Sequence, residues 1–221
     1  MSQLPVVSIV ACLLPEFGIG LQGTLPWRLA KEMKFFRQVT SSTFDSGKQN
    51  AVIMGRKTWE SIPAKFRPLP NRTNVVISRS FTADLVLSDD NSYLKCNSLY
   101  DSIEKLNSSY KDKIERVYII GGGEIYKESL NLCDYWLITK IVPLETGSDD
   151  DVPPPKVDTF LDSKTLSENY IEDKNVDLGT FLPSQVELPD KESPCKNSSV
   201  PLKYAQQERG LEFGYSLWRK K

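Results

Sequence analysis

The sequence AVIMGRKTW (residues 51–59) joins a short apolar run to a basic turn that begins with glycine. Its first four residues are apolar throughout, which is typical of a strand covered on both faces of a sheet. After Gly55, the residues Arg56, Lys57 and Thr58 offer two cations, a hydroxyl and backbone N–H groups to a phosphate. The segment therefore predicts a buried strand that ends at an anion-binding turn.

Similar apolar runs recur along the chain and alternate with helical stretches. The runs cover residues 6–14, 51–54, 74–78, 116–120, 135–142 and 211–218, and the helical stretches cover about 29–41, 98–109 and 124–131. This alternation predicts a single α/β domain with a mostly parallel central sheet and helices on both faces. The last run alternates polar and apolar residues, so we expect an antiparallel C-terminal strand that finishes the sheet.

Two segments differ in composition and are predicted to be surface insertions in loop conformation. Residues 143–157 are acidic and rich in proline, and residues 173–209 are rich in Pro, Ser, Lys and Glu. We expect one domain over residues 1–221, because this length suits one substantial core. No role for either insertion follows from the sequence.

Composition excludes several classes of function. The net charge of −1 argues against nonspecific electrostatic binding to nucleic acid or to an anionic membrane. The chain has no histidine and no C-x-x-C spacing, so we expect no metal site and no Ser-His-Asp or Cys-His mechanism. Neither a secretion signal nor a long apolar run is visible. We expect a cytoplasmic monomer and leave open a mitochondrial fraction.

Glu32 interrupts the apolar face of the first predicted helix. By the i, i+3, i+4, i+7 rule it shares that face with Leu29, Met33 and Phe36. A buried carboxylate must find a hydrogen-bonding partner or take up a proton. Glu32 is therefore a candidate for proton-linked chemistry or for binding a cationic or amidine-like ligand. The alternative is that it reaches the edge of the stripe and pairs with Lys31 or Arg28.

The sequence GIGLQG (residues 18–23) has the literal spacing of the dinucleotide-binding fingerprint. That fingerprint requires the glycine turn to open a helix directly, whereas TLPW (residues 24–27) follows here, so we reject the Rossmann interpretation. We expect instead a flexible glycine-rich loop that closes over a ligand. The turn after residue 54 also lacks the glycines of a P-loop, which argues against a nucleoside triphosphatase.

Three strand ends carry groups that suit phosphate. They are the basic turn of residues 55–58, SRS (residues 78–80) and the triple glycine with Glu124 (residues 121–124). Three such sites indicate a ligand with several phosphates. A dinucleotide with an additional 2′-phosphate fits this requirement, which favours NADP over NAD.

Taken together, seven motifs in order resemble dihydrofolate reductase, with insertions that resemble the fungal-type branch. They are IVA (9–11), GIG (18–20) with LPW (25–27), Glu32 with Phe36, VIMGRKTWESIP (52–63), RPL (67–69) with Arg72, SRS (78–80), and IGG (120–122) with EIY (124–126). The match covers residues 6–142 and continues at DTF (158–160) and in the terminal strand. Gly123, where many members have alanine, and Cys12 are small departures.

The resemblance implies NADPH-dependent reduction of 7,8-dihydrofolate to tetrahydrofolate, with hydride added at pterin C6 and a proton at N5. Such a protein supports one-carbon metabolism and thymidylate synthesis, and it binds antifolate inhibitors. Two alternatives stay open: a reductase of another heterocycle on the same fold, and a non-catalytic protein that binds NADPH or folate.

The resemblance also implies residue roles. Glu32 would hold the pterin amino group and ring nitrogen, Thr139 would brace its carboxylate, and Trp27 would order a water. Arg72 would bind the glutamate carboxylate, among substrate-binding residues that comprise Ile9, Val10, Glu32, Phe36, Ile62, Phe66, Leu69, Arg72, Ile120 and Tyr126. The implied cofactor-binding residues are Ala11, Ile19, Gly20, Gly55, Arg56, Lys57, Thr58, Ser78, Arg79, Ser80, Gly121, Gly122, Gly123, Glu124, Ile125 and Tyr126.

Overall fold

A computed structural model describes residues 3–144, 153–192 and 200–221. Within these ranges the strands are β1 Val6–Leu13, β2 Gly18–Gly20, β3 Gln49–Gly55, β4 Arg72–Ile77, β5 Val86–Leu87, β6 Leu94–Cys96, β7 Ile114–Ile119, β8 Tyr135–Pro143, β9 Thr159–Phe160, β10 Tyr170–Glu172, β11 Gln206–Glu208 and β12 Leu211–Lys220. The helices are α1 Ala30–Ser41, α2 Arg56–Ser61, α3 Leu99–Ser109, α4 Gly123–Ser129, α5 Ser163–Asn169 and α6 Leu178–Phe181, and Ala64–Phe66 forms a 3₁₀ turn.

The sheet is mixed and mostly parallel, as the sequence predicts. Its strand order is β10-β12-β8-β1-β7-β3-β4-β6-β5, and each neighbouring pair from β8 to β6 is parallel. The predicted antiparallel C-terminal strand is β12, which pairs with β8 over nine residues. These pairings confirm the predicted fold class.

Helices cover both faces of the sheet, and each face has its own core. On one face α3 and α5 contribute Ile103 and Leu166 to a cluster that also receives α4. On the other face α1 and α2 contribute Phe35 and Trp59 to a second cluster that also receives α6. Alternate residues of β1 enter the two clusters, because successive side chains of a strand point to opposite faces.

The prediction that β12 finishes the sheet is wrong in one respect. Strand β10 pairs with the outer edge of β12, so β12 is an interior strand there. Its polar residues Glu212 and Ser216 are buried rather than solvent-facing. The alternating pattern therefore did not mark an exposed face, because segments that precede the strand in the chain, among them β10 and residues 202–203, lie against it.

The prediction of a flexible loop at residues 18–20 is also wrong. These residues form the buried strand β2, which pairs with β1 and with β9. A side chain on Gly18 would lie 2.7 Å from a methyl carbon of Val157. Close packing against another segment, not mobility, therefore explains this glycine. The exposed residues of the motif begin beyond β2, at Gln22 and Gly23.

The predicted insertions are only partly loops. The second one contains α6 and β11, and Leu178, Leu182 and Val186 are buried in the core on the α1 face. The sequence did not predict these elements, because four-residue helices and three-residue strands are too short to show a periodicity of their own. In the first insertion, residues 153–157 have no regular structure, and residues 145–152 lie outside the described ranges, as do 193–199. Among the helices of the described ranges, none has the length and hydropathy needed to cross a bilayer.

Candidate active site

Glu32 lies in the first turn of α1 and is buried against the sheet. The Thr139 hydroxyl donates a hydrogen bond of 3.3 Å to its Oε1 atom. Thr139 lies on β8, directly between Ala11 of β1 and Tyr215 of β12 in the register of the sheet. Strand pairing therefore fixes the position of the Thr139 hydroxyl, and helix α1 places the Glu32 carboxylate beside it.

The buried stripe of α1 differs from the predicted one. The buried residues of the helix are Glu32, Phe35, Val39 and Thr40, whereas Met33 is 46% exposed. The physical reason is the packing of Phe35 on Tyr215, whose rings stack with centroids 3.6 Å apart and an interplanar angle of 13°. This contact rotates the helix so that Met33 leaves the core and Phe36 becomes half-buried.

Burial controls the protonation of Glu32. Loss of solvent raises the pKa of Glu32 from 4.5 to about 7, although the hydrogen bond from Thr139 opposes the change. Burial and the nearby Glu32 charge both raise the pKa of Tyr126 and of Tyr215, so these phenols stay protonated. Within the described ranges Glu32 forms no ion pair, and the Lys31 amine instead donates to the carbonyl of Gln207. The alternative of an edge-lying, paired Glu32 is therefore not what the structure contains.

Trp27 is buried in the same core cluster as Phe35. Its indole Nε1 atom has no hydrogen-bond partner among the described residues. Native proteins rarely leave a buried donor unpaired without a reason, and a ligand or ordered water is the usual partner.

Arg72 begins β4 and is buried beneath the far end of α1. Its guanidinium donates to the Thr40 hydroxyl at 2.7 Å and to the Pro70 carbonyl at 3.0 Å. Burial, and secondarily the charge of Arg37, lowers the pKa of Arg72 to about 10. No acidic side chain pairs with Arg72 in the part of the chain that the structure describes. A buried cation without an acidic partner is suited to an anionic ligand.

The segment around Leu69 is held by Asn74. The Asn74 side chain accepts a hydrogen bond from the Leu69 N–H at 3.0 Å and donates one to its carbonyl at 2.9 Å. Leu69 and Ile62 are half-buried against the α1-side core, and Phe66 is 56% exposed. The structure thus brings Ile62 and Leu69 to the α1 side of the sheet and leaves Phe66 exposed.

The predicted phosphate-binding turns lie at one edge of the sheet. Gly55 of β3 is in register with Ile77 of β4, and the Gly55 N–H donates to the Gly121 carbonyl at 2.8 Å. The turns that follow β3, β4 and β7 are therefore neighbours. A side chain on Gly122 would lie 3.1 Å from the Thr58 hydroxyl, so the absence of one keeps the approach open.

Gly121 has a φ of 105°, which side chains rarely allow, and a Cβ atom there would lie 2.8 Å from the Tyr126 ring. The Tyr126 hydroxyl donates to the Ile9 carbonyl at 2.7 Å, which joins α4 to β1. Ile120 is anchored through its N–H to the carbonyl of Ile53 at 2.9 Å. These bonds join α4 to the middle of β1 and the end of β7 to β3.

Other predicted residues are placed as follows. The side chains of Val10, Ile19 and Ile125 lie in the core on the α3 side, opposite to the Glu32 side, so Val10 meets the Glu32 side only through its backbone. Ala11 is half-buried beside Thr139 in the register. Exposed at the sheet edge are Arg56, Lys57, Arg79, Ser80 and Glu124, and Ser78 is half-buried and hydrogen-bonded to Ser80.

Sequence reasoning missed several residues that shape the site. Thr159 of β9 lies beside both Gly20 and Gly123, since Cβ atoms there would be 3.6 and 3.1 Å from it. Asn74 and Thr40 were also missed, although a polar residue within an apolar run was the signal that identified Glu32. No local signal could have identified Tyr215, whose stacking depends on packing between distant elements.

The fold and the site define an α/β enzyme. A mostly parallel sheet, covered on both faces, collects a buried acid and glycine-rich turns towards the carboxyl ends of its strands, where open α/β sheets bind ligands. A buried arginine without an acidic partner among the described residues begins strand β4.

Comparisons with known proteins identify the family. A family model for dihydrofolate reductase matches residues 6–181. The dihydrofolate reductase of Saccharomyces cerevisiae is 51% identical over 219 residues, which cover 99% of this chain and 98% of the relative. That of Candida albicans is 39% identical over the full length of both chains. A bifunctional dihydrofolate reductase-thymidylate synthase of Daucus carota is 48% identical over 60% of this chain and 25% of the relative.

The chain belongs to the dihydrofolate reductase family and is an oxidoreductase. The predicted likeness to the fungal-type branch is confirmed, because two fungal relatives match over nearly the whole chain. The functional residues proposed from the sequence remain predictions.

Glu32→Gln should change how stability depends on pH. A raised pKa means that the folded protein binds the proton more tightly than the unfolded chain does, so ionisation of Glu32 costs the folded state about 3 kcal/mol above pH 7 and nothing below pH 4.5. Stability of the unsubstituted protein should therefore fall as the pH rises from 4.5 to 7, and the variant should lack this component. Urea unfolding at pH 5 and pH 8 measures the difference.

Glu104→Gln, an exposed position on α3, is the matched control and should follow the unsubstituted protein. Equal pH dependence in the Glu32 and Glu104 variants would contradict a proton-binding role for buried Glu32.

Proposed function

We propose that this protein reduces 7,8-dihydrofolate to 5,6,7,8-tetrahydrofolate with NADPH as its cofactor. The observation that carries the proposal is the spacing of groups along α1. Glu32, Phe36 and Thr40 follow one another at i, i+4 and i+8, and Thr40 holds the buried Arg72. Glu32 and Thr40, the residue that binds Arg72, are thus about 12 Å apart along the helix axis. A ligand with a hydrogen-bonding ring at one end and a carboxylate at the other would suit this row.

Glu32 is suited to the pterin end of the substrate. A buried carboxylate can accept two N–H bonds from an amino group and an adjacent ring nitrogen, and such a site discriminates strongly against ligands that lack these donors. Thr139 would keep the carboxylate in its orientation. Contact with the charged acid would raise the basicity of N5, and the proton would reach N5 through water, which the unpaired Trp27 indole is suited to hold.

Arg72 is suited to the opposite end. Its planar guanidinium can form two parallel bonds to the glutamate α-carboxylate. Phe36, Ile62, Phe66 and Leu69 would wall the rings between the two ends, with the Leu69 segment fixed by Asn74. The backbone carbonyls of Ile9 and Ile120 would serve the 4-amino group of an inhibitor.

The residues at the sheet edge fit a pyridine dinucleotide. When bound, NADPH supplies the hydride that is added to C6 of the pterin. Lys57, Thr58 and the triple glycine would hold the pyrophosphate, because a side chain on Gly121 or Gly122 would fill the space beside them. Arg56, Ser78, Arg79 and Ser80 would hold the 2′-phosphate, and Gly55 and Glu124 flank these turns. Ala11, Ile19 and Gly20 would contact the nicotinamide, and Ile125 and Tyr126 complete the proposed cofactor-binding set.

The proposal is tested by following nicotinamide absorbance with NADPH and dihydrofolate. We expect turnover that is specific for dihydrofolate, and a loss of at least about 100-fold in kcat for Glu32→Gln near neutral pH, since acid-base assistance typically contributes that much. Binding without turnover would favour the non-catalytic alternative. Equal rates with an unrelated heterocycle would favour a reductase of another heterocycle on the same fold. An undiminished Glu32→Gln variant would refute the role of the acid.

Arg72→Leu should weaken dihydrofolate binding by about 10- to 100-fold and leave NADPH affinity unchanged. The reason is the loss of a charge-assisted contact worth about 1.5–3 kcal/mol to the substrate carboxylate alone. Titration of each ligand separately measures the two constants. Because Arg72 also bonds to Thr40 and Pro70, NADPH affinity serves as the internal check on folding, and equal losses for both ligands would count against the assignment.

Arg79→Ala should raise KM for NADPH far more than KM for NADH, because only NADPH carries the 2′-phosphate. The lost charge-assisted contact is worth about 1.5–3 kcal/mol. Lys113→Ala is the matched control, since this exposed cation lies just before β7 at the opposite edge of the sheet. Steady-state kinetics with each cofactor measure the two KM values in both variants. A comparable rise for NADPH and NADH would remove the argument for the 2′-phosphate.

The organisation of residues 1–221 as one domain, the monomeric state and the cytoplasmic location remain predictions from the sequence.

A further inference from the structure

The helix that carries Glu32 has no N-terminal cap of its own. Leu29 occupies the N-cap position, and its side chain cannot accept a hydrogen bond. Glu208, at the end of β11, supplies the missing acceptors. Its Oε1 atom accepts from the Ala30 N–H at 2.9 Å, and its Oε2 atom accepts from the Lys31 N–H at 3.0 Å. One carboxylate from a distant part of the chain thus caps the first turn of α1.

This cap acts next to the acid of the site. Glu32 is the third residue of α1, a position from which glutamate commonly reaches back to cap its own helix. The positive end of the helix dipole also favours a carboxylate there. In the structure Glu208 accepts the Ala30 and Lys31 N–H groups, and the Glu32 side chain accepts from Thr139 rather than capping its own helix.

Glu208 is the last residue of β11 and directly precedes a hairpin turn. Arg209 and Gly210 follow with φ angles of 54° and 74°, as expected for a two-residue hairpin turn that joins β11 to β12. Strand β12 then places Tyr215 opposite Thr139 and against the ring of Phe35. One hairpin therefore contacts α1 at its first turn and at its buried face.

We propose that Glu208 is a positioning residue that caps α1 from outside and so keeps the Glu32 carboxylate directed at Thr139 and the substrate. The inference rests on the proposed function of Glu32. It assigns a role to part of the segment of residues 173–209, for which the sequence indicated none.

The titratable and charged groups around Glu32 determine whether its pKa should rise or fall in a Glu208 variant. They are Tyr126 of α4, Tyr215 of β12, Lys31 of its own helix and Glu208 of β11, beside the Thr139 hydroxyl of β8. Glu208→Gln removes a negative charge and frees one N–H donor at the helix end. Both changes stabilise ionised Glu32, so the pKa of Glu32 should fall.

The first measurement is an NMR pH titration of the ligand-free protein labelled with ¹³C-glutamate. The Glu32 Cδ resonance is identified by its loss in Glu32→Gln. Glu208→Gln should lower the pKa of Glu32 by roughly 0.5 unit. Glu208→Asp should give a smaller fall, and it carries the test if the glutamine variant does not fold. An unchanged pKa of Glu32 in the variant measured overturns the proposal.

Glu187→Gln is the matched control. Glu187 comes from the same segment and contacts the same helix, through Lys34 at 2.6 Å and Gln38 at 3.2 Å, but it does not reach the first turn. This variant should leave the pKa of Glu32 unchanged. Equal shifts in the Glu187 and Glu208 variants would mean that general loosening of the segment, not the cap, is responsible, and would refute the proposal.

The second measurement is the pH profile of single-turnover dihydrofolate reduction. Glu208→Gln should move the profile in the same direction as the NMR titration, and it should have no further effect on the profile in a Glu32→Gln background. An additive effect in the double variant would overturn the positioning role. If Glu32→Gln were fully active, the proposed function would fail, while the NMR titration would still report whether Glu208 acts on Glu32.

Discussion

The burial of the Glu32 carboxylate is the constraint on which the site depends. Removing an acid from water is unfavourable, and one hydrogen bond from Thr139 offsets only part of that cost, which is why the pKa of Glu32 is raised to about 7. A group held in this state binds a ligand with suitable N–H donors more strongly than a solvated acid can. The contacts that fix helix α1 and Thr139 must therefore hold an unfavourable residue in place.

Helix α1 connects the two ends of the proposed substrate site. Its first turn carries Glu32, and its last turn carries Thr40, which binds the buried Arg72. The helix is fixed by three contacts from elsewhere: the Phe35–Tyr215 stack, the Glu208 carboxylate at its first turn and the Glu187 pairs along its exposed side. These contacts come from residues 187–215, beyond the range that the family model matches. The C-terminal part of the chain thus supports a site whose other residues come from the earlier part.

Elements with a strong pattern of their own could be predicted from the sequence. The long apolar runs became β1, β3, β4, β7, β8 and β12, because strands covered on both faces have few polar residues. The GIG strand, α6 and β11 could not be predicted in this way, since they are short and their neighbours are remote in sequence. The placement of Met33 failed for a related reason. Periodicity gives the width of a helical stripe, but the Phe35–Tyr215 contact sets its rotation.

The sequence by itself determined the fold class, the candidate acid and the family, because apolar periodicity, an acid within an apolar stripe and ordered motifs are all local in the chain. The tertiary structure decided which donor faces Glu32, which groups surround Arg72, and that three turns meet at one sheet edge. Those features depend on strand register and on packing between distant segments. The cap of α1 by Glu208 joins residues 177 positions apart, so only the folded chain could disclose it.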